Sequence, residues 1–375
     1  MQFPRNLPTS HNVLKGMVRF RFLFFAAAFC IAGVLWSQAQ QADTSDERIV
    51  ATVTNVLAPV TVLDRRGGYV NGLQPEDFRL LDNGKEQSIK VDVAFQPISL
   101  VVAIQANDHV EGVLPKINKI GSLIGPQVIG DEGEAAVLAF DHRFRVLQDF
   151  TSDSTKIQDA IKKITSGSGS SRLIDAVIQS VRMLRSRPDN RRRILLLIAE
   201  TRDKGSEGRV RDALTDIQMN NVSVYSVDVS RMLSGLTSKP AAPRPDTMPP
   251  AMHPVPSNVP ATPNTVMQTT GGQGGSAQFI PLLVEIFRST KSVFVDNPVE
   301  VFTKGTGGTE FTFAKQRALE EAVSKIGEEI HSQYLISYAP NNKEEGGFHE
   351  ITVEVNRSDV KVRTRPGYWL ASVLK

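Results

Sequence analysis

The sequence predicts an α/β fold: a doubly wound, mostly parallel sheet, with a small β-rich module built from the N- and C-terminal strands. Three observations carry this. Leu100–Ile104 and Ile194–Ala199 are unbroken apolar runs rich in branched residues, the composition of strands buried on both faces of a parallel sheet. Around and between them, strand-like and helix-like patterns alternate. At both ends of the chain the hydrophobic period falls to two, which marks half-buried antiparallel strands.

The 375 residues, 41% hydrophobic and 22% charged, suit a globular protein with room for two compact units. Its start differs in character. Lys15, Arg19 and Arg21 precede an apolar run from Phe22 to Trp36, and Ser37-Gln38-Ala39 offers small residues where a signal peptidase reads. Residues 1–39 therefore read as a secretory signal peptide. A retained anchor is the rival reading, but the run is shorter than the roughly 20 residues that span a bilayer. The expectation is export to an extracytoplasmic place (periplasm, envelope surface or medium), with no membrane insertion beyond the signal segment.

Cleavage changes what the composition implies. Four of the 43 basic residues and none of the 40 acidic ones leave with the signal, so the formal charge of +3 belongs to the signal and nucleic acid is not an implied partner. Cys30, the one cysteine, leaves too, which excludes a disulfide or a thiolate metal site in the mature chain.

Taken in order, residues 40–47 form a polar, flexible leader. Residues 48–97 form an N-terminal β module, with Val60 and Val62, Phe78 and Leu80, and Ile89, Val91 and Val93 in alternation. Arg66-Gly67-Gly68 and Asp82-Asn83-Gly84-Lys85 supply its turns, the second a hairpin signal because Asn-Gly tolerates positive φ. About 50 residues rarely fold alone without disulfides, so this module needs a neighbour.

Residues 98–333 form the α/β domain. Its predicted elements are a first strand ending at Gln105; a helix with Leu114, Ile117, Ile120 and Leu123 inward; a strand from Glu134 to Phe140, continued by Arg145–Leu147; and helices at 152–164 and from Leu173. A strand follows at Ile194–Ala199, then a helix from Glu207 to Met219 and a strand from Val222 to Val229. Residues 231–276 interrupt the pattern: nine of the 21 prolines fall between Pro240 and Pro263, so this insertion reads as an extended, poorly ordered excursion. A helix at Phe279–Arg288, a strand at Val299–Thr303 and an amphipathic helix at Lys315–His331 close the domain. Residues 334–375 supply C-terminal strands, expected to pack with the N-terminal module.

Several landmarks, in this order, carry a resemblance: Leu73-Gln74-Pro75-Glu76-Asp77-Phe78; Asp149-Phe150-Thr151; Ser171-Arg172-Leu173-Ile174-Asp175-Ala176; Thr306-Gly307-Gly308; Gln333-Tyr334-Leu335-Ile336-Ser337-Tyr338; and Arg365-Pro366-Gly367-Tyr368. Together they make the chain resemble a von Willebrand factor type A domain protein of the bacterial secreted, acidobacterial type, over roughly Ile49 to Trp369. The resemblance implies a Rossmann-like fold that holds one Mg²⁺ or Mn²⁺ at the strand tops. It implies a D-x-S-x-S loop after the first strand, a Thr from a second loop and an Asp after the central strand, with an open coordination position that accepts a partner's carboxylate.

This chain departs from that set. Gln105 stands where the first Asp is expected, Asn107 and His109 where the two Ser are expected, Ser171 where Thr is expected and Glu200 where the later Asp is expected. Amide oxygens are neutral, and an imidazole nitrogen suits Mg²⁺ poorly. Asp175 falls in the first turn of its helix, where the dipole favours an acid.

The residues show no enzyme signature. Ser166-Gly167-Ser168-Gly169-Ser170-Ser171 precedes a helix but lacks the Gly-Lys-Ser/Thr of a nucleotide loop, and the histidines fit neither H-E-x-x-H nor a G-x-S-x-G setting. Arg185, Arg187, Arg191, Arg192 and Arg193 read as a solvated basic face at a helix end.

The expectation is a non-catalytic, exported protein-interaction and adhesion module with a degenerate metal-ion-dependent adhesion site and no cofactor. Its partner is a protein, met by a crest of Gln105, Asn107, Asp108, His109, Ser170, Ser171, Glu200 and Asp203. Three other readings stay open from the sequence. One is an adhesion domain that binds Mg²⁺ or Mn²⁺ through Asn107, Ser171 and Glu200; another is an enzyme of unrecognised type; the third is a scaffold that binds through its Pro-rich insertion.

Overall fold

A computed structural model describes residues 55–92, 96–230, 232–233, 275–289, 293, 295–312 and 316–370. The expected signal segment, the leader and most of the Pro-rich insertion lie outside the described residues. Among the described residues no helix is long and apolar enough to cross a membrane.

In chain order the strands and longer helices are β1 (Val56–Asp64), β2 (Phe78–Asp82), β3 (Lys85–Glu86), β4 (Ile89–Asp92), β5 (Ile98–Gln105), β6 (Glu134–Phe140), β7 (Phe144–Thr151), α1 (Ser154–Lys162), α2 (Leu173–Arg185), β8 (Arg192–Ala199), α3 (Val210–Met219) and β9 (Val222–Asp228). They continue as α4 (Gly275–Arg288), α5 (Pro298–Thr306), β10 (Glu310–Thr312), α6 (Gln316–Ser332), β11 (Tyr334–Tyr338), β12 (Gly347–Val355), β13 (Val360–Arg363) and β14 (Gly367–Leu370).

Six strands form the α/β sheet, in the order β10-β9-β8-β5-β6-β7. All neighbours are parallel except the β6–β7 pair, which is an antiparallel hairpin through Asp141-His142-Arg143; residues 145–147 thus belong to a returning strand and do not continue β6. Every residue of β5 is buried. Its side chains alternate between two cores: Leu100, Val102 and Ile104 pack with α1 and α6, while Val101 and Ala103 pack with α2, α3, α4 and α5.

Two expected elements differ. Residues 299–303 are helical in α5, not a strand. The side chain of Asn297 caps the helix by accepting from Glu300 N at 3.0 Å, Pro298 opens its first turn, and Gly307 at φ 79° ends it. The helix expected from Leu114 is broken into short turns at Leu114–Ile117 and Gly121–Leu123 and a π-turn at Ile124–Ile129. Its glycines serve packing: a Cβ on Gly125 would lie 2.0 Å from Ser154 Oγ, so α1 approaches this segment closely.

Of the arginines expected to be solvated, Arg185 is exposed, while Arg187, Arg191, Arg192 and Arg193 are engaged. Arg187 and Arg191 pair with Glu134 at 2.7 and 3.3 Å, and Arg192 donates to Gln333 Oε1 at 2.8 Å. A buried guanidinium without such partners would cost several kcal/mol.

The chain ends build two antiparallel sheets, β13-β1-β11-β4 and β14-β12-β2-β3. Ala58 pairs with Ile336, and Leu80 with Val353, so N- and C-terminal strands interleave in both. Between the sheets lie Val56, Ala58, Val60, Leu80, Ile336, Ile351 and Val353. One carboxylate sits in that core. Asp82 Oδ1 faces His349 Nδ1 at 2.7 Å and accepts from Asn342 Nδ2 at 3.1 Å, while its Oδ2 accepts from the hydroxyls of Tyr338 at 2.9 Å and Tyr368 at 2.8 Å.

Candidate functional site

A parallel sheet gathers its ligand-binding loops at the carboxyl ends of its strands. Here β5 lies between β6 and β8, so the segments leaving Gln105, Phe140 and Ala199 meet on one edge. Backbone bonds tie them: Ala106 N donates to Phe140 O at 2.8 Å, Gly167 N to Ala106 O at 2.7 Å, Arg172 N to Asp141 O at 3.0 Å and Lys204 N to Ser171 O at 3.0 Å. Four loops make one crest.

Gln105 is its centre. The buried amide Nε2 donates both to Asn107 Oδ1 at 2.9 Å and to Glu200 Oε2 at 3.0 Å, and Oε1 accepts from Glu200 N at 2.9 Å. Asn107, also buried, donates from Nδ2 to Gly169 O at 3.2 Å. The carboxylate of Glu200, only 12% exposed, also faces His109 Nδ1 at 3.2 Å and Lys204 Nζ at 3.7 Å. The structure thus brings Gln105, Asn107, His109 and Glu200 together.

The other expected residues fall differently. Asp108 stands exposed beside Gly169, and Ser170 is half-buried on the same loop. Ser171 is fully buried, and its Oγ has no hydrogen-bond partner among the described residues. Asp203 turns away from the crest surface. Its Oδ1 accepts from Leu173 N at 2.8 Å and Ile174 N at 3.2 Å, capping α2, whose own N-cap residue Arg172 offers no acceptor. Asp175 returns the exchange, accepting from Glu207 N at 2.9 Å and Gly208 N at 2.8 Å. Asp203 is a structural cap, because first-turn N–H groups must find acceptors.

Four crest residues escaped the sequence reading: Asp141, His142, Ser168 and Lys204. Asp141 is fully buried; Oδ1 accepts from Arg143 N at 2.7 Å, and Oδ2 has no partner among the described residues. Its signal was a carboxylate directly after the apolar run Ala135–Phe140, where the strand's carboxyl end reaches the crest. His142 Nδ1 lies 3.1 Å from Asp141 Oδ1 and also contacts Ser168 Oγ. Both partners meet the same ring nitrogen. A Ser-His-Asp relay needs one partner at each nitrogen, so this group is not arranged as a triad.

The donor set was tested against the hard dication that the fold family implies. Mg²⁺ and Mn²⁺ seek near-octahedral oxygen, mostly carboxylate and water. Among the described residues Ser171 Oγ and Asp141 Oδ2 have no partners, but Ser171 is neutral, Asp141 supplies a single carboxylate, and Glu200, the carboxylate at the expected position, is already met by Gln105, His109 and Lys204. Between Asn107 Oδ1 and Glu200 Oε2 stands a hydrogen-bond donor, the NH₂ of Gln105. Among the described residues no three His, Cys, Asp or Glu side chains group where they could hold a metal. These residues do not fit the ion.

Residues 107–201 match the sequence profile of the von Willebrand factor type A domain. Solved structures similar to this chain include an aerotolerance-related membrane protein from Bacteroides fragilis, at 12% identity and TM-score 0.37, over 62% of this chain and 98% of that one. Another is a conserved protein, BatB, from Bacteroides thetaiotaomicron, at 13% identity and TM-score 0.36, over 62% and 99%. A third is the von Willebrand domain of the type V pilus tip protein Mfa5 from Porphyromonas gingivalis, at 13% identity and TM-score 0.26, over 29% and 40%. No curated protein matches the chain in sequence. The α/β body has the mostly parallel six-stranded sheet typical of von Willebrand A domains, and residues 107–201 within it carry that domain's sequence profile.

Proposed function

We propose that this chain is an exported, non-catalytic protein-binding module whose crest meets a partner protein, with the family's metal site degenerate. One observation carries the reading. Exposed groups, Asp108, His109 and Lys204, stand on a buried frame of Gln105, Asn107 and Glu200 whose side chains are hydrogen-bonded to one another and to the backbone. A pre-ordered polar frame under exposed charged tips suits recognition, because little conformational freedom is lost when a partner arrives. Of the expected surface, Gln105, Asn107 and Ser171 support it from beneath and Asp203 holds α2 in place.

Non-catalysis rests on the chemistry of the same crest. Glu200 Oε2 accepts from Gln105 and its Oε1 lies 3.2 Å from His109 Nδ1, and His142 spends one ring nitrogen on both Asp141 and Ser168. Neither is set as a free base beside a nucleophile.

Capture from envelope extract, with the protein immobilised, tests the reading. The double variant Asp108→Arg/Lys204→Glu is expected to lose the partner that the parent captures, while deletion of residues 236–275 leaves capture unchanged. Capture that survives the crest variant and vanishes with the deletion would transfer the function to the Pro-rich segment.

A further inference from the structure

We propose that the side-chain amide of Gln105 is the crest's built-in replacement for a bridging cation, so that the crest is assembled by folding alone and does not respond to divalent metal. The inference rests on the reading of the crest as the binding surface and names how that surface is held in order.

The geometry of one NH₂ group carries the argument. A cation at a strand-top site draws together oxygens from different loops, and without it those oxygens repel. Here the oxygens are Asn107 Oδ1, from the loop after β5, and Glu200 Oε2, from the loop after β8. Gln105 Nε2 donates to both, with nitrogen-to-oxygen distances of 2.9 and 3.0 Å. An amide nitrogen carries two donors on one atom, so it bridges two acceptors as a cation would. Its own oxygen meanwhile accepts from Glu200 N at 2.9 Å and fixes the backbone of that loop. The same side chain holds the Glu200 loop by its main chain and by its carboxylate.

An amide brings no formal charge, so Glu200 needs compensation elsewhere. Lys204 Nζ faces it at 3.7 Å, and the Lys204 backbone is itself anchored by the bond from its N–H to Ser171 O at 3.0 Å. Bridging and neutralisation, which one dication performs together, are divided here between Gln105 and Lys204. Gln105 acts through Asn107 and Glu200, so it is a positioning residue.

The experiment uses the metal alone as probe and reads thermal unfolding and titration heat, so it can fail without touching the partner-binding reading. For the parent protein, the expected result is the same Tm in chelator and in millimolar Mg²⁺ or Mn²⁺, with no saturable heat. Gln105→Glu keeps the shape but puts an acceptor where the donor was, against two other oxygens. It is expected to lower Tm in chelator by about 3–8 °C. Mn²⁺ should restore much of that loss, since a ligand bound only by the folded state stabilises it. Gln105→Leu should lose a similar amount and gain nothing from Mn²⁺. The proposal is overturned if the parent shows saturable Mg²⁺ or Mn²⁺ binding that Glu200→Ala removes, or if Gln105→Glu in chelator is as stable as the parent. The parent titration decides even if the variants do not fold.

Discussion

Replacing Asp82 tests whether the terminal strands are held by a single buried carboxylate. Asp82 lies on β2, fully buried, and its four partners come from both sheets of the β module: Tyr338 from β11, and His349, Tyr368 and Asn342 from β12, β14 and the loop between β11 and β12. In Asp82→Ala, four buried polar groups lose their common acceptor. Breaking a buried charged network by removing one member costs about 3–5 kcal/mol, well below four separate hydrogen-bond penalties because the survivors partly re-pair. For a chain of this length that is a fall in Tm of roughly 4–7 °C. Asp82→Asn keeps the shape and one acceptor oxygen, and should cost about 1–3 kcal/mol.

The pH dependence separates charge from packing. Burial works to raise the Asp82 carboxyl, but the hydrogen bonds from His349, Asn342, Tyr368 and Tyr338 outweigh it and hold the group below the ordinary aspartate value. The unfolded chain therefore binds the proton more readily than the folded one. The stabilisation is complete above the unfolded value of about 3.9 and is lost as pH falls through the lower folded value. Denaturant unfolding from pH 7 to pH 3 should show the gap between parent and Asp82→Asn narrowing on the acid side only. A cost under about 1 kcal/mol for Asp82→Ala at pH 7, or a gap that does not change with pH, would refute the reasoning.

Asp203→Ala removes the acceptor for Leu173 N and Ile174 N, so it should destabilise by about 1–2 kcal/mol, whereas exposed Asp108→Ala should stay within about 0.5 kcal/mol; paired denaturant melts check the contrast. In Gly167→Ala the new Cβ would lie 1.7 Å from Asp141 Oδ2, so the 166–171 loop must move, and hydrogen exchange should report faster exchange at Gly167 N and Arg172 N, which bond Ala106 O and Asp141 O. Glu329 on α6 is buried, pairs with Arg363 on β13 and accepts from Thr309 Oγ1 at 3.2 Å; Glu329→Ala should cost about 3–5 kcal/mol and split one calorimetric transition into two, while unchanged cooperativity would show that the contact does not couple the α/β body to the terminal sheets.

What the sequence disclosed was whatever depends on pattern. The apolar runs at Leu100–Ile104 and Ile194–Ala199 are legible because only a strand covered on both faces needs them, and both are central strands of the sheet. Residues 299–303 misled because Val299, Val301 and Phe302 look like a strand; the stronger signals were Asn297-Pro298 before them and Gly307 after. At the crest, strand ends give position but not direction. Glu200 and Asp203 lie three residues apart, yet one meets Gln105 and the other caps a helix, and nothing local distinguishes them. Lys204 was hidden for a related reason: its pairing with Glu200 depends on how the loop turns past Asp203.

The crest and the junction with the terminal sheets share one element, and this fixes what the molecule can transmit. β8 begins at Arg192, which donates to Gln333 between α6 and β11, and it ends just before Glu200 at the crest. Its eight residues span about 26 Å at the usual rise of a parallel strand. β5 and β9 pair with it on either side, and six of its residues are buried. The bonds at its two ends, from Arg192 to Gln333 Oε1 and from Glu200 N to Gln105 Oε1, hold it in this register. β8 thus joins the crest to the junction through one continuous, largely buried strand. It therefore acts as a strut that holds crest and junction at constant separation. Of the exposed tips, Asp108 stands where substitution disturbs the frame least, while His109 and Lys204 both face the Glu200 carboxylate.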